Sequence, residues 1–396
     1  TNISVQEVLS PDGDFTFTRG SNLSATRVNE AQLIEKGREN VLLQSNQFDT
    51  TWITSSALAL SGYAGRNGGT NAWLLREQGS TSPHWVRQSS GLTSGIGTFS
   101  FYAKKKDYDW IQFGQSGDGG NYANFNIANG TLGNSTSAFF TDISITSVGN
   151  GWYRCSVTYT FASNSFVGIA LIRSDVSSRY EVYQGDNISG TYIQDAQVEL
   201  GLVATDYIET GASTAQAGLL ENTPRLDYSG GATCPSLLLE PSRSNLANQS
   251  EWIDPSVWTL TTASVSISSN LAPDGYANCT RVERTSEVNS YVRQVVSISS
   301  GGTYTTSIYA RKVSGGDTFN MIDANGFTSS RTLTTEWQRF YITATNSTAG
   351  RVYFQLVQDN DVIEIWGAQF EEGSYATSYI PTYGTSQTRA GESIAD

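Results

Sequence analysis

The apolar residues of this chain recur at every second position rather than every third or fourth, so the elements they predict are strands. From Phe99 onward, Phe99, Phe101 and Ala103 share one face. From Trp152 onward, Tyr153, Cys155, Val157 and Tyr159 share one, and from Val352 onward Val352, Phe354 and Leu356 alternate with Tyr353 and Gln355. Glycine-rich turns such as Ser314-Gly-Gly-Asp separate the runs, as antiparallel neighbours require.

The pattern occurs twice. Val86-Arg-Gln returns as Val292-Arg-Gln, and Ser100-Phe-Tyr-Ala-Lys-Lys as Ser307-Ile-Tyr-Ala-Arg-Lys. Trp152-Tyr-Arg returns as Trp337-Gln-Arg, Ala196-Gln-Val-Glu as Ala368-Gln-Phe-Glu, and Thr205-Asp-Tyr-Ile as Thr377-Ser-Tyr-Ile. Asn46 to Trp52 answers Asn245 to Trp252 or Trp258. Matched blocks in one order mark homologous units. The predicted fold is all-β: two tandem jelly-roll β-sandwich domains at 41–212 and 243–396, with 1–40 and 213–242 as extended connectors. A leader repeats as well, in Ala25-Thr-Arg-Val-Asn, Thr223-Pro-Arg-Leu-Asp and Thr388-Arg-Ala. The apolar runs at Val41-Leu-Leu and Leu237-Leu-Leu suit strand exchange between copies, which predicts a homo-oligomer, most simply a trimer.

Composition narrows the function. With 24 Lys and Arg against 37 Asp and Glu, the net charge is −13, which argues against a nucleic-acid partner. No apolar run reaches the roughly 18 residues of a membrane-spanning helix, so no membrane insertion is expected. Nine Trp, twenty Tyr and sixteen Phe supply both cores and surface platforms. The three cysteines, Cys155, Cys234 and Cys279, form no disulfide framework; an odd count favours free thiols, with a Cys234–Cys279 bridge as the alternative.

Alternation away from the core residues defines a second face. It carries Trp85, Arg87, Tyr102, Trp110, Gln112, Trp152 and Arg154 in the first copy. The second copy places Tyr291, Arg293, Tyr309, Asn320, Trp337 and Arg339 there. Aromatic planes stack on pyranose rings, and Arg, Gln and Asn offer donors to hydroxyls, so these residues are the candidate carbohydrate site. Those shared by both copies are also what a common fold demands. Trp110 escapes that demand, since Thr318 replaces it. Lys104, Lys105 and Lys106 beside it would favour an acidic glycan or form a solvated hairpin.

Catalysis has little footing. Glu371 and Glu372 are adjacent on a strand and point to opposite faces, and Asp195 with Glu199 is the other candidate pair. The Glu of each Ala-Gln-x-Glu block, Glu199 and Glu371, suits a structural hydrogen-bonding role. His84, the one histidine, has Ser290 as its counterpart and reads as a hydrogen-bonded surface residue.

The motifs taken together resemble a known group. Asn245-Leu, Ala272-Pro-Asp-Gly, Tyr309-Ala-Arg-Lys, Trp337-Gln-Arg, Gly367-Ala-Gln-Phe-Glu-Glu-Gly, Thr377-Ser-Tyr-Ile-Pro-Thr and Thr388-Arg-Ala resemble the carbohydrate-binding-module-like jelly rolls of bacteriophage tail, head-fibre and other virion proteins. The first copy is more divergent, lacking Ala-Pro-Asp-Gly and reading Tyr207-Ile-Glu-Thr for Tyr-Ile-Pro-Thr. The resemblance implies a non-enzymatic structural protein of the virion surface that displays glycan-binding modules for host attachment beside other virion proteins. A purely structural virion component, or the non-catalytic part of a secreted polysaccharide-degrading enzyme, is the alternative. No cofactor is implied beyond a structural calcium, for which Glu251, Asp274 and Glu371 are the candidate ligands.

Overall fold

The computed structural model describes all residues except 1–15, 21–22, 117–119, 164, 287–289, 300, 324, 346–349, 359 and 396. Among the described residues every regular element is a strand apart from two short 3-10 turns. The chain divides into two compact units, and one interrupts the other. Arg38–Ala217 is continuous, whereas Thr1–Gly37 and Gly218–Asp396 together build the second unit. The ends of the insert, Arg38–Asn40 and Ala215–Ala217, close on each other as an antiparallel pair.

The inserted unit is a sandwich of two six-stranded antiparallel sheets. One runs Asp142–Gly149, Trp152–Ala162, Ser94–Lys104, Gly190–Leu200, Ala72–Glu77, Ala57–Tyr63. The other runs Thr131–Ser135, Tyr122–Asn126, Trp110–Ser116, Phe166–Ile172, Trp85–Ser89, Ile53–Ser55. Between them lie Phe99, Phe101, Ile111, Phe113, Phe125, Cys155, Val157 and Ile169, the residues whose period-two spacing announced strands.

The discontinuous unit repeats this plan with five strands per sheet. Ala263–Ile267, Thr280–Arg284, Val362–Glu372, Thr303–Ser314 and Gln338–Thr345 form one, and Thr259–Thr261, Tyr291–Val296, Gly350–Leu356, Thr318–Ile322 and Thr328–Thr332 the other. Val292, Ile308, Phe319, Met321, Val352 and Phe354 fill its core. Trp258, not Trp252, is the counterpart of Trp52: the two indole N–H groups donate to Gln249 O at 3.1 Å and Gln44 O at 3.0 Å. Asn245 answers Asn40 rather than Asn46, each side chain donating to two carbonyls of its own sheet and loop.

Most of the described residues in the segments expected as extended connectors are folded into the discontinuous unit as short paired strands. Thr26–Val28 pairs with Ile34–Lys36, Arg225–Asp227 with Ser236–Leu238, and Thr16–Thr18 with Ser393–Ala395. Leu237 is thus paired within its own chain, opposite Leu226, and Val41 N donates to Val198 O. Two of the three leader arginines, Arg225 and Arg389, explain the closure together with Arg19, while Arg27 pairs instead with Glu35. Arg19, Arg225 and Arg389 are fully buried around Glu240 and Glu392, with Arg225 Nη2 2.8 Å from Glu240, Arg389 Nη1 3.0 Å from Glu240 and Arg19 Nη1 3.2 Å from Glu392. Buried guanidinium groups persist only when paired, so four distant stretches of chain are held together here.

Candidate functional site

The strand phases inferred from alternation hold, but the predicted face is not one surface. Part of it belongs to the sheet containing Tyr102 or Tyr309 and is covered from within. Trp152 and Tyr102 are 1% and 6% exposed there, and Gln112 on the other sheet is 0% exposed, which excludes all three as open platforms. Trp152 and Tyr102 pack with Ala72 against Tyr63, Tyr192 and Tyr207, and the Arg66 guanidinium lies 4.2 Å from the Tyr102 ring. Arg154 donates to Ala204 O and Ser100 Oγ, and Arg339 makes the same bonds to Thr377 O and Ser307 Oγ. Both arginines therefore pin the loop that follows the last long strand. Trp337 donates to Leu271 O at 2.9 Å beneath Arg311, and Tyr309 packs on Trp366. Tyr309 and Arg339 line a cavity of about 180 Å³ roofed by Arg27, Asp227 and Leu238. What the copies share on this sheet is what the fold needs.

The other sheet carries the remaining candidates, and here the two units diverge. In the inserted unit the chain between Phe166–Ile172 and Gly190–Leu200 is long, and residues 173–183 lie across the outer face as a strap. Tyr180 sits over Gly114 and Gly168: a Cβ on either would fall 2.3 or 2.6 Å from its ring or hydroxyl. Its hydroxyl donates to Gly114 O at 2.8 Å, and its amide to Gln112 Oε1 at 2.7 Å. Gln112 in turn donates to Asn124 Oδ1 and Ser178 O, so its carboxamide is consumed by the strap. Trp85 stands 5.7 Å from Tyr180, and Arg87 lies over Trp85 and Phe166 at 4.6 and 4.9 Å. Trp110, inferred to be exposed, is half-buried, its ring reaching across Gly133. Lys105 and Lys106 are engaged by Asp109 and Asp107, which neutralises that basic run. His84 is buried rather than on the surface, its ring nitrogens facing Ser56 O and Tyr183 O.

The strap's fit rests on the bare backbone beneath it. Gly114→Val is expected to lift Tyr180 and cost about 1–3 kcal/mol, as overpacking does. Hydrogen exchange should then accelerate at the Tyr180 amide, and an unchanged melt and exchange pattern would contradict the strap's seating.

In the discontinuous unit only five residues of sequence separate Gly350–Leu356 from Val362–Glu372, too few for such a strap. Among the described residues nothing covers its outer face, which bears larger side chains at the matching positions. Tyr353 stands where the insert has Gly168, Gln355 where it has Ala170, and Arg351 where it has Phe166, by the register of each central pair. Tyr291 and Tyr353 are half-buried with ring centroids 4.9 Å apart, and Arg293 lies 5.5 Å from the Tyr291 ring. Burial holds the Tyr353 hydroxyl above its ordinary pKa. Alongside runs a polar row: Ser330 Oγ donates to Asn320 Oδ1 at 2.8 Å and Asn320 Nδ2 to Gln355 Oε1 at 3.1 Å. Tyr353, Gln355, Arg351 and Ser330 are absent from the sequence-predicted set. The alternation of Val352, Phe354 and Leu356 had already pointed the first three outward.

The carboxylates are structural. Glu199 accepts from Thr205 N and Gln197 Nε2, and Glu371 accepts identically from Thr377 N and Gln369 Nε2. Glu251 and Asp274 do meet, but Glu371 is not with them, and the cation between them is Lys36. Its Nζ lies 2.5 Å from Glu251 and 3.2 Å from Asp274, and donates to Tyr383 Oη at 3.0 Å. Burial pulls the ammonium down, yet Glu251, Tyr383 and Asp274 outweigh it and hold Lys36 well above its usual value. Asn278 donates its amide to Asp274. An internal ammonium thus occupies the space between two of the carboxylates expected as calcium ligands, and among the described residues no group of three or more His, Cys, Asp or Glu side chains could hold a metal ion. All three cysteines are free, Cys155 and Cys279 buried and Cys234 exposed.

No protein-family model matches the chain, and no curated protein matches it. Among solved structures it is similar to the N-terminal CBM22-1–CBM22-2 tandem domain of Xyn10C from Paenibacillus barcinonensis, at 12% identity and TM-score 0.28, over 94% of this chain and 98% of that one. It is similar also to the CBM22-1 xylan-binding domain of the same protein, at 14% identity and TM-score 0.23, over 34% and 94%. An exo-beta-agarase is similar at 12% identity and TM-score 0.26, over 33% of this chain and 25% of its own length. At such low scores these likenesses carry no function, which must come from the chain's own side chains.

Proposed function

We propose that this chain is a non-catalytic glycan-binding protein whose binding surface is the open face of the discontinuous unit. The observation that carries the reading is the tilted Tyr291–Tyr353 pair, half-exposed on an unstrapped sheet beside the Gln355–Asn320–Ser330 row. Neither tyrosine hydroxyl has a hydrogen-bond partner among the described residues. Aromatic planes receive the C–H face of a pyranose, while the amides address its hydroxyls in fixed directions. The inserted unit places its own Tyr180 over the equivalent surface, so there the chain occupies its own platform.

The setting we propose is the surface of a bacteriophage particle, where copies of the chain in a symmetric oligomer, beside other virion proteins, present this face to host glycans. That setting rests on the sequence resemblance alone. The same face would serve equally as the non-catalytic anchor of a secreted polysaccharide-degrading enzyme.

A glycan array probed with the wild-type chain and Tyr353→Ala tests the reading. The truncation should weaken binding by roughly 1–3 kcal/mol while shifting stability by under about 1 kcal/mol. Absence of wild-type binding, or binding that Tyr353→Ala leaves intact, would overturn it.

A further inference from the structure

The open face has a charge pattern that narrows its ligand, an inference that rests on the glycan-binding reading. Its outward positions are Thr259, Thr261, Tyr291, Arg293, Val295, Arg351, Tyr353, Gln355 and, on the two flanking strands, Thr318, Asn320, Thr328, Ser330 and Thr332. In a chain of net charge −13, none of these is Asp or Glu and two are Arg. Arg293 lies directly opposite Tyr353, and Arg351 opposite Val295, so the guanidinium groups occupy diagonal positions on neighbouring strands. Such positions are about 7–8 Å apart, within reach of long side chains. Tyr353 is the neighbour of both, opposite Arg293 and two residues along the strand from Arg351.

Several other arginines of this unit have acidic partners, Arg281 with Glu283, Arg311 with Glu364 and Arg225 with Glu240, while Arg331 and Arg339 donate to the carbonyls of Tyr341 and Thr377. Arg293 and Arg351 have no ion-pair partner among the described residues. The Nε of Arg293 is also buried without a hydrogen-bond partner. Two unpaired like charges side by side on a sheet are unfavourable unless an anion joins them. The second charge is particular to the open face, because the strapped sheet has Phe166 in the place of Arg351.

We propose that the ligand is an anionic polysaccharide, its carboxylate or sulfate groups received by Arg293 and Arg351 while a sugar ring stacks on the Tyr291–Tyr353 pair. The planar guanidinium fork suits either oxyanion, giving two parallel N–H donors to each.

The test titrates the full chain with polygalacturonate, dextran sulfate and uncharged dextran, at about 20 and about 200 mM salt. A charged polymer should bind, and its affinity should fall about tenfold or more across that salt range. Arg293→Gln and Arg351→Gln should each weaken it about tenfold, and Tyr353→Ala should weaken it too. Preference for polygalacturonate identifies a carboxylate ligand, and preference for dextran sulfate a sulfated one. Salt-independent binding of a neutral glycan, lost in Tyr353→Ala but kept in both arginine variants, would overturn the anionic assignment and leave the glycan reading standing. Charged-polymer binding that survives both arginine substitutions would overturn it as well. A wild-type chain that binds nothing on the glycan array removes both.

Discussion

Lys36→Met is expected to cost about 3–5 kcal/mol at neutral pH, the effect of leaving buried charges without their partner. Removing the ammonium leaves Glu251 and Asp274 facing each other, both buried, with neutral donors alone beside them: the Asn278 amide, the Tyr383 and Tyr379 hydroxyls and the Tyr276 N–H. The pH dependence separates this from a packing loss. The Lys36 pKa is raised in the folded protein, so its contribution is complete below the ordinary lysine value of about 10.4. It is lost only as pH rises through the higher folded value. Glu251 is raised by burial, against the pull of Lys36 and with the push of Asp274. Without Lys36 its charged form is penalised above its ordinary carboxylate range, so the variant should recover stability as pH falls toward about 4. A loss of stability that acid does not relieve would point to packing instead.

The second large effect concerns which pieces of chain fold together. Gly218 approaches the carbonyl of Lys36 so closely that an added Cβ would lie 2.4 Å away, which places the two cut points of the insert side by side. Joining Gly37 to Gly218 through a few glycines, with 38–217 removed, should therefore give a soluble protein with a cooperative melt. Residues 243–396 alone should not fold. They would keep Arg389 and Glu392 but lose Arg19, Arg225 and Glu240, and would keep Glu251 and Asp274 but lose Lys36. Losing both networks exceeds what a domain with a typical 5–15 kcal/mol of stability can spare. Circular dichroism melts of the two pieces decide the matter, and a cooperative transition from 243–396 near that of the joined protein would contradict the discontinuous unit.

What was legible in the sequence was phase. Because strand side chains alternate strictly, Val86, Ile111, Val292 and Phe354 placed inward put Trp85, Gln112, Arg293 and Tyr353 on the opposite face without any knowledge of tertiary structure. What alternation does not encode is whether something covers that face. Gln112 and Tyr102 are outward by phase and buried in fact, one under the strap and one under a loop carrying Tyr207. A signal for the strap existed in the longer stretch between Phe166–Ile172 and Ala196-Gln than between its counterparts, and in Gly114 and Gly168 facing each other across two strands. The repeated residues misled for a plain reason: Arg154 and Arg339 recur because each ties the same loop to the same strand. Lys36 was invisible as a ligand of Glu251 because its pairing spans more than two hundred residues and an entire inserted sandwich. The leader repeat was the trace of that arrangement, since Arg225 and Arg389 share one buried acid.

The structure of the full chain with a glycan chosen by array tests the central claim most directly. The sugar should lie on the sheet of Tyr291–Val296 and Gly350–Leu356, with a ring against Tyr353 or Tyr291 and its hydroxyls toward Gln355 and Asn320. A sugar seated in the cavity beside Tyr309 and Arg339, or on the inserted unit in place of Tyr180, would contradict it.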